Sequence, residues 1–132
     1  MTYALDTSTC ITFLRGKHPQ LYQRVLSHFS DIVITSVVAA ELYYGAARSA
    51  DPVTNRGHVD AFLAPFPLVL LDKAAAVAYG SIRADLARRG QLIGPNDLLI
   101  AAIAVAGKLT VVTHNTREFS RVPGLLVEDW QS

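Results

Sequence analysis

The sequence predicts an α/β protein with a mostly parallel central sheet of about five short strands, layered between helices. Three observations predict it. Short aliphatic or β-branched runs alternate with longer helical patterns along the chain, the order expected of strand–helix–strand crossovers. The strand candidates are almost continuously apolar, which suits strands covered on both faces. The breaks at 16–19, 50–52, 65–67, 90–95 and 123–124 are short and spread out. None reads as a domain linker, so residues 1–132 are expected to form one domain.

The elements follow in order. Residues 2–5 are the first strand, ended by Asp6, and a helix over 7–14 is capped by Asp6, Thr7 or Ser8. A second helix covers 19–28, opened by Pro19, and the second strand is 32–35. Helices at 37–49 and 53–63 lead to a strand at 68–71. Asp72 then stands as the N-cap of the clearest helix, 74–89. That segment is Ala-rich, with Val77, Ile82 and Leu86 as an apolar stripe and Arg88, Arg89 and Gly90 closing it. Asn96 caps a helix over 96–107, apolar from Leu98 to Ala106. Strands at 110–113 and, with a weaker signal, 125–127 complete the sheet, and Trp130 orders the C-terminus. Parallel strands require right-handed crossovers.

Composition narrows the class. Hydrophobic residues are 51% and charged residues 17% of the chain, an apolar surplus that fits a partner interface. No apolar run approaches the ~18 residues of a membrane span, and Met1-Thr2-Tyr3 has no basic region of a signal peptide. The single cysteine, Cys10, allows no internal disulfide and fits a reducing compartment, with cytoplasm the expectation. Twelve Lys and Arg against eleven Asp and Glu do not advertise nucleic-acid binding. If cations neutralise four of the acids, the remaining surface becomes basic, with local clusters at Arg15 and Lys17, Arg88 and Arg89, and Arg117 and Arg121.

The acids carry the chemistry. Asp6 ends an apolar strand, Glu41 is the only charge from Val37 to Tyr44, and Asp97 opens an apolar helix. A lone buried carboxylate is costly unless it is paired, neutralised or bound to a metal. In parallel α/β sheets, function gathers at the carboxyl ends of the strands. Asp6 lies there, Asn115 and Glu118 follow the strand at 110–113, and Glu41 and Asp97 sit in first turns of helices that start at the same edge. Blander roles stand beside these: capping for Asp6, a polar stripe with Tyr43 and Tyr44 for Glu41, a helix-dipole contact for Asp97, and salt bridges of Glu118 to Arg117 or Arg121. Converging carboxylates select Mg²⁺ or Mn²⁺ over zinc and imply phosphate chemistry. The histidines, His18, His28, His58 and His114, show no metal-ligand spacing; His114 alone adjoins the acids. Glycine-rich phosphate loops and a Gly-x-Ser-x-Gly setting for Ser8 are absent.

At this point the residues resemble a family. Leu5-Asp6-Thr7-Ser8, the segment from Ser36 to Gly45, the run from Gly94 to Ala102, and Thr113-His114-Asn115-Thr116-Arg117-Glu118-Phe119 together resemble PIN-domain ribonucleases. The ending Asn-Thr-Arg-Glu-Phe-x-Arg-Val-x-Gly-Leu-x-x-Glu-Asp-Trp is similar to enteric-type VapC toxins of VapBC toxin–antitoxin systems. The ordered set covers nearly the whole chain. The resemblance implies a PIN-like three-layer α/β/α sandwich and a Mg²⁺- or Mn²⁺-dependent endoribonuclease. In it Asp6, Glu41 and Asp97 are catalytic and metal-binding. The fourth acidic position holds Asn115, with Glu118 able to supply the charge, while Thr7, Ser8 and Thr113 orient carboxylates or metal waters. The substrate implied is a tRNA anticodon stem-loop, the initiator tRNA in the enteric type. The partners implied are a VapB-type antitoxin, whose C-terminal segment lies over the toxin, and a second copy in a homodimer; operator DNA is reached only through the antitoxin. Two rivals remain: a Rossmann-like Mg²⁺-dependent phosphohydrolase or phospho-acceptor domain centred on Asp72, and a non-enzymatic RNA-binding module. The latter lacks a clustered aromatic platform, aromatics being 8% of the chain.

Overall fold

The computed structural model describes residues 1–132. Five strands, β1 (Tyr3–Leu5), β2 (Ile32–Thr35), β3 (Leu68–Val69), β4 (Thr110–Val112) and β5 (Leu126–Glu128), form one sheet in the order β3-β2-β1-β4-β5. All four neighbouring pairs are parallel. Seven α-helices connect them: α1 (Thr7–Arg15), α2 (Pro19–Ser27), α3 (Ser36–Ala47), α4 (Pro52–Leu63), α5 (Lys73–Arg88), α6 (Pro95–Gly107) and the single turn α7 (Thr116–Phe119). A 3₁₀ turn at Phe29–Asp31, which has no sequence signal of its own, feeds β2.

The chain builds β1, β2 and β3 outward in one direction, then crosses back to place β4 on the other side of β1. Right-handed crossovers put α1 to α4 on one face of the sheet and α5 and α6 on the other. The order reverses between β1 and β4, so the crevice at their carboxyl ends is the topological switch point. The inner strands are fully covered, as their apolar runs require: Ala4, Leu5, Ile32, Ile34, Val111 and Val112 are buried. Helix α6 buries Leu98 and residues Ile100 to Ala104, consistent with its apolar sequence.

Three expectations need correction. The strand at 68–71 shortens to two residues, and it is not covered on both faces: Leu68, Leu70 and Leu71 are 52%, 60% and 42% exposed. It is an edge strand, so its apolar run reflects unpartnered surface rather than double coverage. Nor is α3 apolar on all sides by burial: Val38, Ala39, Leu42 and Ala46 face the core, whereas Ala40, Tyr43, Tyr44 and Ala47 are exposed. Finally, α6 begins at Pro95 with Gly94 at the cap position, so Asn96 lies inside the first turn and caps nothing. By contrast, Asp72 caps α5 as its sequence indicates, accepting from the Ala75 amide at 2.9 Å, and the Thr35 hydroxyl caps α3 through the Val38 amide at 3.2 Å.

The C-terminus is anchored by Trp130, which is 1% exposed. Its indole packs edge-on to Tyr3 at 5.0 Å and stacks on His28 at 4.8 Å, and its N–H donates to Glu128 Oε1 at 3.0 Å. One side chain thus joins β1, the end of α2 and the tail after β5. Trp130→Ala is expected to lower the unfolding free energy by ~3–5 kcal/mol, as for other aromatic deletions in cores. Trp130→Phe, which keeps the ring contacts and loses the hydrogen bond, should cost less. Urea denaturation followed by circular dichroism checks both.

Candidate active site

Asp6 is built into the junction of three elements. It follows β1, and its backbone N–H continues the ladder to the Val112 carbonyl at 3.0 Å. Its extended backbone makes it the N-cap of α1, where Oδ1 accepts from the Thr9 amide at 2.9 Å. Oδ2 accepts from the Thr113 hydroxyl at 2.6 Å. With Asp6 3% exposed and Thr113 fully buried, these are charge-assisted bonds in a dry setting, the strong kind. Capping and a place at the switch point are therefore not alternatives for Asp6. Two oxygens offer about four lone-pair sites, and two remain open.

The other acids arrive from helices starting at the same edge. Glu41, on the second turn of α3, receives the Thr7 hydroxyl on Oε1 at 2.5 Å and the Asn96 amide on Oε2 at 3.2 Å. Asp97 is in the first turn of α6. Glu118, in α7, receives the Asn115 side-chain amide at 2.5 Å. The Asn115 backbone N–H in turn donates to the Thr113 hydroxyl at 2.9 Å, tying that turn to Asp6. The premise of deep burial holds for Asp6 alone; Glu41, Asp97 and Glu118 are half-buried and Asn115 is exposed.

The acids feel one another. Asp97's carboxyl is pushed up to about 6, first by burial and then by the charges of Asp6, Glu118 and Glu41. That places all four within electrostatic reach. The ion pairs of this chain are Arg56–Asp60, Arg89–Asp85 and His114–Asp129, so none of the four acids has a cationic partner. No three His, Cys, Asp or Glu side chains are drawn together closely enough to hold an ion as they stand. The donor set still fits a hard divalent cation: all oxygen, several negative charges, and no compensating Lys or Arg. Mg²⁺ in particular retains several waters and takes only one or two carboxylates directly.

The helper residues, expected to orient carboxylates without a particular one being assigned, divide them between two acids. Thr113 serves Asp6, but Thr7 serves Glu41. Ser8 reaches both Asp6 oxygens only at 3.4 Å, the outer limit of a hydrogen bond. Asn96, absent from the sequence-derived set, is the second holder of Glu41; its position beside Asp97 at a helix start was the available signal. His114 turns to Asp129 at 3.0 Å. Asp72 is occupied as a cap, and Cys10 is wholly buried with its thiol pushed up by burial and then by Asp6, which disfavours the thiolate.

Two outcomes follow from this geometry. Thr113→Val removes a buried donor to Asp6 and the acceptor for Asn115; it should cost ~1–3 kcal/mol in urea unfolding, with Thr113→Ser largely restoring stability. Asp97 binds its proton more tightly folded than unfolded. In EDTA, its contribution to stability therefore falls as pH rises from 3.8 to about 6. Thermal melts across that window should show less of this decline in Asp97→Asn.

The PIN domain family matches residues 3–125. The tRNA(fMet)-specific endonuclease VapC of Salmonella typhimurium is 40% identical over 130 residues, covering 98% of each chain. Ribonuclease VapC2 of Rickettsia felis is 38% identical over 133 residues, again covering 98% of each. The crystal structure of DNA-bound VapBC from Salmonella typhimurium superposes with a TM-score of 0.94 at 40% identity over 98% of both chains. With the strand order, the acidic crevice and full-length identity in agreement, the chain belongs to the PIN-domain family and, within it, to the VapC ribonucleases.

Proposed function

We propose that this protein is a divalent-metal-dependent endoribonuclease that acts as the toxin of a VapBC pair, with residues 1–132 working as one PIN domain in the cytoplasm. The observation that carries the reading is the meeting of Asp6, Glu41, Asp97 and Glu118 at the switch point without a cationic partner. Asp6, Glu41 and Asp97 would hold Mg²⁺ or Mn²⁺, with Glu118 as the fourth charge and Asn115 orienting it. A cation bound there supplies charge stabilisation to the phosphoryl oxygens of the scissile bond. The protein's own part is positional. Thr113 and the Thr9 amide fix the Asp6 carboxylate, Thr7 and Asn96 fix that of Glu41, and Asn115 fixes that of Glu118. Every one of these donors is neutral, so each acid is oriented without a cationic partner.

The substrate proposed is a tRNA, with initiator tRNA favoured by the name of the Salmonella relative. The antitoxin proposed is VapB-like, as in the VapBC complexes that this chain resembles. Its seat is a groove of about 820 Å³ between α1, α3 and α4, lined by Phe13, Leu42 and Phe62 together with Glu41, Arg15 and His58. An apolar segment ending in a basic side chain suits that groove, because the cation would meet the unpaired acids. A homodimer would cover part of the exposed apolar surface, and operator DNA would be contacted through the antitoxin. Asp72, the centre of the rival phospho-acceptor scheme, is committed to capping α5.

Purified protein should cleave tRNA only with Mg²⁺ or Mn²⁺ and stop in EDTA. Asp6→Asn and Asp97→Asn should each reduce cleavage at least 100-fold with an unchanged circular dichroism spectrum, a loss of the order expected when a catalytic electrostatic group is removed. Glu118→Gln should raise the metal's half-saturating concentration, and Asn115→Asp should lower it. Undiminished cleavage by both Asp variants would sink the proposal.

A further inference from the structure

A second cavity, about 700 Å³, opens on the other side of Glu41, between α1, α3 and α6. Its lining includes Thr7 and Asn96, which both donate to the Glu41 carboxylate, and Ser36, Tyr44 and Arg48. Tyr44 and Arg48 follow Glu41 at helical spacings of three and seven, so one face of α3 presents all three.

Tyr44 differs from the other exposed aromatics. Tyr22 stacks on Phe13, Phe29 packs on Phe66, and the Tyr43 hydroxyl donates to Asp60. Tyr44 is 69% exposed, and its only aromatic or cationic partner is the Arg48 guanidinium, 5.5 Å from the ring centroid. Arg48 itself forms no ion pair. An aromatic face backed by a free guanidinium is the pairing that holds an unstacked base and its phosphate. Tyr44 and Arg48 line this cavity and not the groove across Glu41, so the exposed tyrosine ring with its guanidinium is offered on this side of the carboxylate.

We infer that this cavity is a nucleotide subsite. A single-stranded nucleotide next to the scissile phosphate stacks its base on the open face of Tyr44 and sets a phosphate against Arg48. The inference rests on the ribonuclease reading above and assigns to that site a flanking-base contact. It also gives the two cavities separate occupants, antitoxin and RNA, on opposite sides of one carboxylate.

The test uses the full chain and a short single-stranded RNA carrying 2-aminopurine beside the cleavage position. Tyr44→Ala should raise KM about ten-fold, the value of one base stack, with kcat nearly unchanged. Tyr44→Phe should behave as wild type. Arg48→Gln should raise KM and flatten its salt dependence. In an Asp97→Asn background, binding should quench 2-aminopurine, and adding Tyr44→Ala should abolish the quench without altering the far-ultraviolet spectrum. A KM indifferent to Tyr44, equal loss in Tyr44→Ala and Tyr44→Phe, or a KM change that tracks a halved molecular mass overturns the subsite; the last makes this face an interface between two copies. So does a variant that loses only antitoxin binding. If wild type cleaves with metal while Tyr44 is irrelevant, the subsite alone falls; if wild type cleaves no RNA, both readings fall.

Discussion

A carboxylate that is almost wholly buried at the end of β1 constrains the rest of this structure. Burial of Asp6 would be prohibitive without compensation, and the compensation comes from separate parts of the fold. The Thr9 amide is supplied because α1 starts at once after β1. The Thr113 hydroxyl is supplied because β4 runs parallel beside β1 with Val112 level with Leu5, so Thr113 follows β4 where Asp6 follows β1. Thr9 also reaches the Val112 carbonyl, at 3.3 Å. The hydrogen bonds that compensate the buried acid are therefore complete only while β1, α1 and β4 are all in place. Folding and the integrity of the crevice become one condition.

The remaining acids show how a charged site is kept without being neutralised. A cation placed beside each carboxylate would stabilise the fold and fill the site with protein charge. Here the partners are hydroxyls and amides instead, and Asp97 carries the consequence in its raised pKa. The penalty is moderated because Glu41, Asp97 and Glu118 stay half-exposed, where water shares the screening. Stability is supplied elsewhere: by the apolar face of α6, by its packing on α5, and by Trp130 closing the far end.

Much of the fold was legible in the chain. Inner strands such as 32–35 are continuously apolar because both faces are covered, and Asp72 before an Ala-rich run reads as a cap. What misled was apolarity without a covering layer. Residues 68–71 look like an inner strand, yet the edge position leaves three leucines exposed. The α3 sequence looks buried all round because its outer face is apolar too, and small or aromatic residues there serve surfaces rather than the core. A period-based reading cannot separate a buried apolar residue from one awaiting a partner.

The site divides along the same line. By itself the sequence singled out Asp6, Glu41 and Asp97 as candidates, since they stand in apolar settings at predicted strand ends and helix starts, and the family resemblance pointed to Asn115 and Glu118 for a fourth position. Helper roles were decided only by tertiary structure. Thr7 adjoins Asp6 in sequence but holds Glu41, and Asn96 reaches across from α6 to the same carboxylate. Such pairings join residues 34 and 55 positions apart. They depend on how α1, α3 and α6 meet at the edge of the sheet, a relation set by packing and crossover handedness that no local pattern encodes.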